Sequence, residues 1–456
     1  MRALLISTYD LGRQPFGLAS PAAWLREAGV EVSCADLAKE RLPRDSVRAA
    51  TLIAFFLPMH TATRLALPVI DRVRSINPDA TLVAYGLYAP LNEALLRERG
   101  IEVVLGGEFE EELTKTALRR SPEPRTPSPE FRAPSPQPPA REIPRLSFRV
   151  PLREVLPPLA KYASLQVGEE RRIAGYTEAS RGCKHRCRHC PIVPVYDGRF
   201  RIVSADVVLA DVRAQVAGGA RHITFGDPDF FNGIRHAREV IERFAQDCPG
   251  ITYDVTIKVE HLLKHADSLP LLQQTGCAFA TTAVESLDDE VLARLEKGHT
   301  RADFERAVAL TREAGLVLSP TFVAFTPWTT HASFVEMLRE IDRLELVEHV
   351  APIQYAIRLL VPQGSRMLEL EEMRRITSAF DPVTLTHPWR HPDPSVDALQ
   401  DRLAHLVGVR LNSPRSELFD RVWKEAHASA GLAAPERTHP PIARSTIPYL
   451  NEPWYC

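Results

Sequence analysis

Three of the chain's seven cysteines, Cys183, Cys187 and Cys190, fall within one eight-residue run, C-K-H-R-C-R-H-C. That C-x3-C-x2-C spacing constrains the chain more than any other feature. Thiolates are the soft ligands that iron–sulfur clusters require. One short loop carrying three of them holds three corners of a cubane cluster. The fourth iron is then left without a protein ligand, because no further cysteine lies nearby in the sequence. Zinc is the alternative: it takes four Cys or His ligands, and His185 or His189 would complete the set. Zinc ligands, however, usually come as two separated pairs rather than one tight triplet.

The run from Ser180 to Pro191, S-R-G-C-K-H-R-C-R-H-C-P, resembles the signature of the radical SAM enzymes. The resemblance implies a [4Fe-4S] cluster on Cys183, Cys187 and Cys190 whose open iron binds the amino and carboxylate groups of S-adenosylmethionine. One electron, from a flavodoxin- or ferredoxin-like donor, then yields methionine and a 5′-deoxyadenosyl radical. It also implies a partial (β/α)6 barrel with its active site at the carboxyl-terminal mouth, as in complete barrels. In the family an aromatic residue usually precedes the last cysteine; here it is His189, a candidate contact for S-adenosylmethionine. The segment G-D-P-D-F-F follows an expected strand, His222–Phe225, and the resemblance makes Asp227 and Asp229 acceptors for the methionine amine. The other reading of that segment is a polar turn with a helix cap. Glu285 and Ser286, after the expected strand Ala278–Val284, resemble the ribose-contacting segment. Ser286 ahead of Asp289 and Glu290 also reads as a helix N-cap.

The chain around this loop reads as α/β. Residues 1–120 alternate short apolar runs with helical periodicity, which predicts a doubly wound, Rossmann-like parallel sheet. Expected strands are Ala3–Ser7, Val30–Cys34, Leu52–Phe56, Thr81–Ala84 and Ile101–Leu105, with glycine turns at Gly86 and Gly106-Gly107. Such a sheet ahead of a radical SAM core resembles a cobalamin-binding domain, so cobalamin is a further candidate cofactor. The base-off motif D-x-H-x-x-G is absent, since Leu11 and Gly12 follow Asp10. Residues 121–160 read as a linker, with nine prolines between Pro122 and Pro144. Residues 161–370 carry six expected barrel strands, the fifth at Leu316–Phe325 and the sixth at Ile353–Val361. Residues 371–434 read as helical and 435–456 as an extended, Pro-rich tail. The net charge of -2 gives no global field for nucleic acid, and no apolar run reaches membrane-span length. An odd cysteine count with a ligand triplet points to a reducing cytoplasm.

The tail N-E-P-W-Y-C, taken with the cysteine run and G-D-P-D-F-F-N-G, resembles radical SAM proteins with a CUAEP or CCAEP tail. In those a cysteine is followed by selenocysteine or cysteine. The resemblance implies that Cys456 is half of such a pair. Two other functional classes stand beside the enzyme: a non-catalytic iron–sulfur or zinc protein, and a modifying enzyme that acts on a macromolecule.

Overall fold

The computed structural model describes residues 1–119, 145–409, 413–437 and 447–451. The proline-rich stretch 121–144 and Cys456 lie outside the described residues. Five strands make the first sheet: β1 (Arg2–Ser7), β2 (Glu31–Asp36), β3 (Leu52–Phe56), β4 (Thr81–Tyr85) and β5 (Val103–Leu105). All neighbours run parallel, in the order β2-β1-β3-β4-β5. Every residue of β3, L-I-A-F-F, is buried. A continuous apolar run is what a central parallel strand covered on both faces requires. Ile53 and Phe55 enter one core layer, Leu52 and Ala54 the other. The order reverses direction between β1 and β3, and ligands of such sheets seat at the carboxyl edge of that switch point.

The second sheet holds β6 (Ser164–Val167), β7 (Glu170–Thr177), β10 (His222–Phe225), β11 (Thr252–Thr256), β12 (Cys277–Glu285), β13 (Leu318–Phe322) and β14 (Tyr449–Leu450). A separate hairpin, β8 (Ser180–Gly182) with β9 (Phe200–Ile202), carries the cysteine loop between its arms. The order is β13-β12-β11-β10-β7-β6-β14. The five strands from β7 to β13 are parallel, while β6 and β14 add antiparallel pairings at one edge. The outward side chains of β10 and β11, Ile223, Phe225, Tyr253 and Val255, join the main core under the helices.

The expected sixth strand is not a regular strand. Pro352 opens a 3-10 turn, Pro352–Tyr355, and beyond it a single parallel bridge, Phe325 with Arg358, holds the segment in the sixth position. Pro352 has no amide hydrogen to give a ladder. The backbone still pairs locally, with Phe325 N donating to Ile357 O and Leu359 N to Phe325 O. The result is a curled half-barrel. Two long helices, Pro394–Gly408 and Arg415–Ser429, follow and pack on its outer core. Between residues 377 and 392 the chain is irregular rather than helical, held by isolated bridges.

The two sheets meet at their carboxyl ends. Ala163 N donates to Gly12 O (2.9 Å), and Gln14 Nε2 donates to Pro157 O (2.9 Å). Leu385, from the irregular segment 377–392 that follows the half-barrel, is buried in the core of the first sheet.

Candidate functional site

The hairpin that delivers the cysteines is pinned residue by residue. Ser180 Oγ donates to Asp227 Oδ1 (2.5 Å), and the neighbouring Ala179 N donates to Asp227 Oδ2 (2.9 Å). Gly182 has φ +75°, and the Tyr196 ring and the Arg199 carbonyl occupy the place a Cβ would take. Only glycine adopts that geometry without strain. Further along, Arg188 N donates to Leu295 O (2.9 Å), and its guanidinium pairs with Glu296 (2.6 Å).

All three loop thiols are free; Cys183 and Cys187 are buried and Cys190 half-buried. Burial pushes the Cys190 thiol up to about 12, and the closeness of Cys187 and Cys183 adds to the shift. Burial raises Cys183 as well. Burial thus favours the protonated thiols of Cys183 and Cys190, and a metal that displaces those protons gains thiolate ligands. A buried ammonium offsets their charge. Burial alone would lower Lys297, but Glu285 and the thiols of Cys187 and Cys190 outweigh it and raise it.

Two carboxylates flank the loop, each holding one of its histidines. From the turn after β10, Asp229 Oδ2 lies 2.6 Å from His261 Nδ1 and 3.4 Å from His185 Nε2. Burial opposes ionisation of Asp229, yet His185 and His261 hold its carboxyl well below the usual range. At the end of β12, Glu285 Oε1 lies 3.1 Å from His189 Nε2 and 3.3 Å from Lys297 Nζ. Against burial, Lys297 and then His189 bring Glu285 down to about 2. Glu285 itself sits at φ +69°, beside a register shift between β12 and β13. A non-glycine residue held there is strained, and strain of this kind gathers where a side chain must be aimed.

The sequence-predicted residues therefore separate. Asp229 and Glu285 are buried beside the cysteine loop, and His189, a half-buried residue of the loop, pairs with Glu285. Asp227 turns back to the loop's own backbone, and burial pushes its carboxyl up to about 7. Ser286 Oγ accepts from Asp288 N (3.1 Å), and the cap of the next helix is Asp288, not Ser286. Ser286 lines a cavity of about 290 Å³ with Leu287, Val323, Ala324 and Phe334.

Four participants escaped the sequence reading, Lys258, His261, Lys297 and His299, and His185 entered it only as the alternative zinc ligand. Lys297 and His299 lie past a helix that stops at Arg294, and both side chains are buried. His299 lies between Lys297 and Lys258. Burial first, then those two cations, push it down to about 4, against a backbone hydrogen bond with Val284. Lys258 Nζ stands 3.5 Å from Glu260, whose other neighbour is His185 Nδ1 at 3.5 Å. Lys258 and His261 stand just past the carboxyl end of β11, the one signal the sequence offers for them, whereas Lys297 and His299 lie beyond the helix that follows β12 and carry no such signal.

The radical SAM superfamily profile matches residues 177–341, from the end of β7 through the helix after β13. The chain carries a radical SAM domain. That domain holds the whole cysteine loop and both carboxylate pairs. Among curated relatives, a tRNA-2-methylthio-N(6)-dimethylallyladenosine synthase from Desulfosudis oleivorans is 25% identical over 242 residues, 48% of this chain and 49% of that protein. The hopanoid C-3 methylase of Methylococcus capsulatus is 23% identical over 335 residues, 71% of this chain and 64% of its own length. This chain thus spans about half to two thirds of those relatives. In fold it is similar to the cobalamin-dependent S-adenosylmethionine radical enzyme OxsB with aqua-cobalamin bound. That match has a TM-score of 0.70 at 14% identity, over 94% of this chain and 71% of that one. It is also similar to the radical S-adenosylmethionine methyltransferase TsrM from Kitasatospora setae, with a TM-score of 0.61 at 18% identity, over 82% and 78%. At 94% of this chain, the first resemblance takes in the N-terminal sheet as well as the radical SAM domain. Among the described residues no helix is long and apolar enough to cross a membrane.

Proposed function

We propose that the chain is a radical SAM enzyme that modifies its substrate by methyl transfer, with sulfur or selenium insertion as the related chemistry. The observation that carries the reading is one loop of three free cysteines whose two histidines pair with Asp229 and Glu285 at the carboxyl ends of the half-barrel strands. The residues present fit a [4Fe-4S] cluster. Cys183, Cys187 and Cys190 supply three ligands, and the other described cysteines lie away from the loop: Cys34 on β2, Cys248 before β11, and Cys277 at the amino end of β12. When bound and reduced, the cluster supplies the electron that cleaves S-adenosylmethionine. The chain's own residues bind and orient. Asp229 and Glu285, both held ionised, are acceptors for the amine and hydroxyls of S-adenosylmethionine. His189 ties the cluster loop to Glu285, and Lys297 balances charge beneath the thiols. Burial of Cys183, Cys187, Asp229, Glu285 and Lys297 limits the access of water to the site.

Methyl transfer is favoured because the alignment with the hopanoid methylase extends well beyond the radical SAM domain. The N-terminal sheet is the part of this chain that would take cobalamin. No histidine follows Asp10, and His60 Nε2 already meets the Thr384 carbonyl (2.5 Å). A corrinoid at this switch point would therefore be held without an imidazole from those positions. Protein purified from cells supplied with cobalamin, then stripped of iron, should retain visible corrinoid absorbance near one equivalent. Protein that never carries the chromophore would remove cobalamin from the proposal.

Two finer readings belong with this one. The cysteine run and the N-E-P-W-Y-C tail support placement among radical SAM proteins with a CUAEP or CCAEP tail. An in-frame UGA followed by Ala-Glu-Pro codons after Cys456 would bear this out, and any other continuation would sink it. The free thiols and the electron requirement support a cytoplasmic enzyme served by a flavodoxin- or ferredoxin-like donor.

A further inference from the structure

We propose that Arg181 is a positioning residue through which the N-terminal domain sets the geometry of the cysteine loop. Arg181 is the middle residue of β8, two before Cys183. Its neighbours are fixed within the barrel region: Ser180 by Asp227, Gly182 by its left-handed backbone and the Tyr196 ring. Its own side chain runs the other way, into the first domain. The guanidinium lies 2.7 Å from Glu110 Oε1 and 3.2 Å from Glu108 Oε2, and Nε lies 2.8 Å from Glu178 Oε2. Ser20 Oγ accepts from Arg181 Nη2 (3.3 Å) and donates to Glu110 Oε1 (2.7 Å). Phe16, Phe109 and Phe148 each present a ring to the guanidinium carbon, at 4.9–5.5 Å.

The partners identify what is coupled. Glu108 and Glu110 follow β5, at the carboxyl edge of the N-terminal sheet, and both side chains are fully buried. The Tyr196 hydroxyl, from the segment that closes the cysteine loop, donates to Glu108 Oε1 (3.1 Å). One carboxylate of the first domain thus grips the loop on both sides. A planar fork with five donors satisfies three carboxylates and a hydroxyl at once, which a lysine ammonium cannot do. Any ligand that moves the β5 edge moves Glu108, and through Arg181 the start of the cluster loop. The catalytic meaning of this coupling rests on the cluster reading above, whereas the coupling itself concerns the loop with no metal present.

The test is made on the full-length apoprotein, without iron. Alkylation of each cysteine by N-ethylmaleimide is followed by peptide mass spectrometry in wild type and in Arg181→Lys. Cys183 and Cys187 should react about fivefold faster or more in the variant, because the loop opens locally. Buried Cys248 should keep its wild-type rate and so report an intact fold. Wild-type rates at Cys183 and Cys187, with Cys248 still protected, would overturn the proposal. If Arg181→Lys unfolds and exposes Cys248 too, Glu108→Gln decides. Faster reaction confined to the loop cysteines supports the coupling, and unchanged rates refute it. No outcome depends on cluster assembly, so a failure here stays distinct from a failure of the radical SAM reading.

Discussion

Asp227 and Glu285 stand at the ends of neighbouring parts of one sheet, yet their carboxyls are displaced in opposite directions. Burial raises Asp227, Asp10 and Glu108 to about 7, whereas Lys297 and His189 bring Glu285 to about 2. A raised carboxyl keeps its proton in the fold where the unfolded chain has released it. The fold therefore loses stability as pH rises from about 4 towards 7, the window between the two values. Glu285 acts the other way: its contribution is present above about 4.5 and is lost as pH falls towards 2. Urea unfolding of the apoprotein at pH 5 and pH 8 should show the lower midpoint at pH 8, with a smaller difference in Asp227→Asn. An equal difference in that variant would place the effect on Asp10 and Glu108 instead. At Gly182 the expected result is sharper. Gly182→Ala puts a Cβ on the Tyr196 ring and the Arg199 carbonyl, at a backbone angle that L-residues avoid. Iron bound after reconstitution should fall well below wild type while the far-ultraviolet circular dichroism is retained. Full iron loading would show that the loop tolerates a side chain there.

At the scale of elements, regular strands were legible and irregular ends were not. The expected strand Leu52–Phe56 matches the structure at both ends, because it is a clean apolar run. The sixth barrel strand failed for a local reason: Pro352 opens a turn where a ladder would begin. The candidate site divides the same way. The cysteine spacing announces its own chemistry, and Asp229 and Glu285 could be found by counting strands. Lys297 and His299 could not, because their roles depend on a left-handed turn at Gly298 that folds them inward beside β11 and β12. Lys297→Gln tests the importance of that turn. It leaves Glu285 buried without its cation, so affinity for S-adenosylmethionine should fall by about tenfold or more, as for the loss of one buried charge-assisted contact. Isothermal titration into reconstituted enzyme measures it, and an affinity within twofold of wild type would show Lys297 to be only a counter-charge for the fold.

Across the whole molecule, a parallel sheet and a largely parallel one face each other through their carboxyl ends, and the cysteine loop lies where they meet. That arrangement places the reactive centre against the domain that would present a second cofactor or a substrate. The similarity to cobalamin-dependent radical enzymes covers 94% of this chain in the case of OxsB, so both halves of the arrangement recur together. The most direct test is anaerobic. The protein is reconstituted with iron and sulfide, reduced, and given S-adenosylmethionine, and 5′-deoxyadenosine is measured alongside Cys187→Ala. Product that forms in wild type and vanishes in the variant is the expected result. Tightly bound zinc on the three cysteines, with no cluster and no 5′-deoxyadenosine, would contradict the radical SAM account and leave the loop a structural metal site.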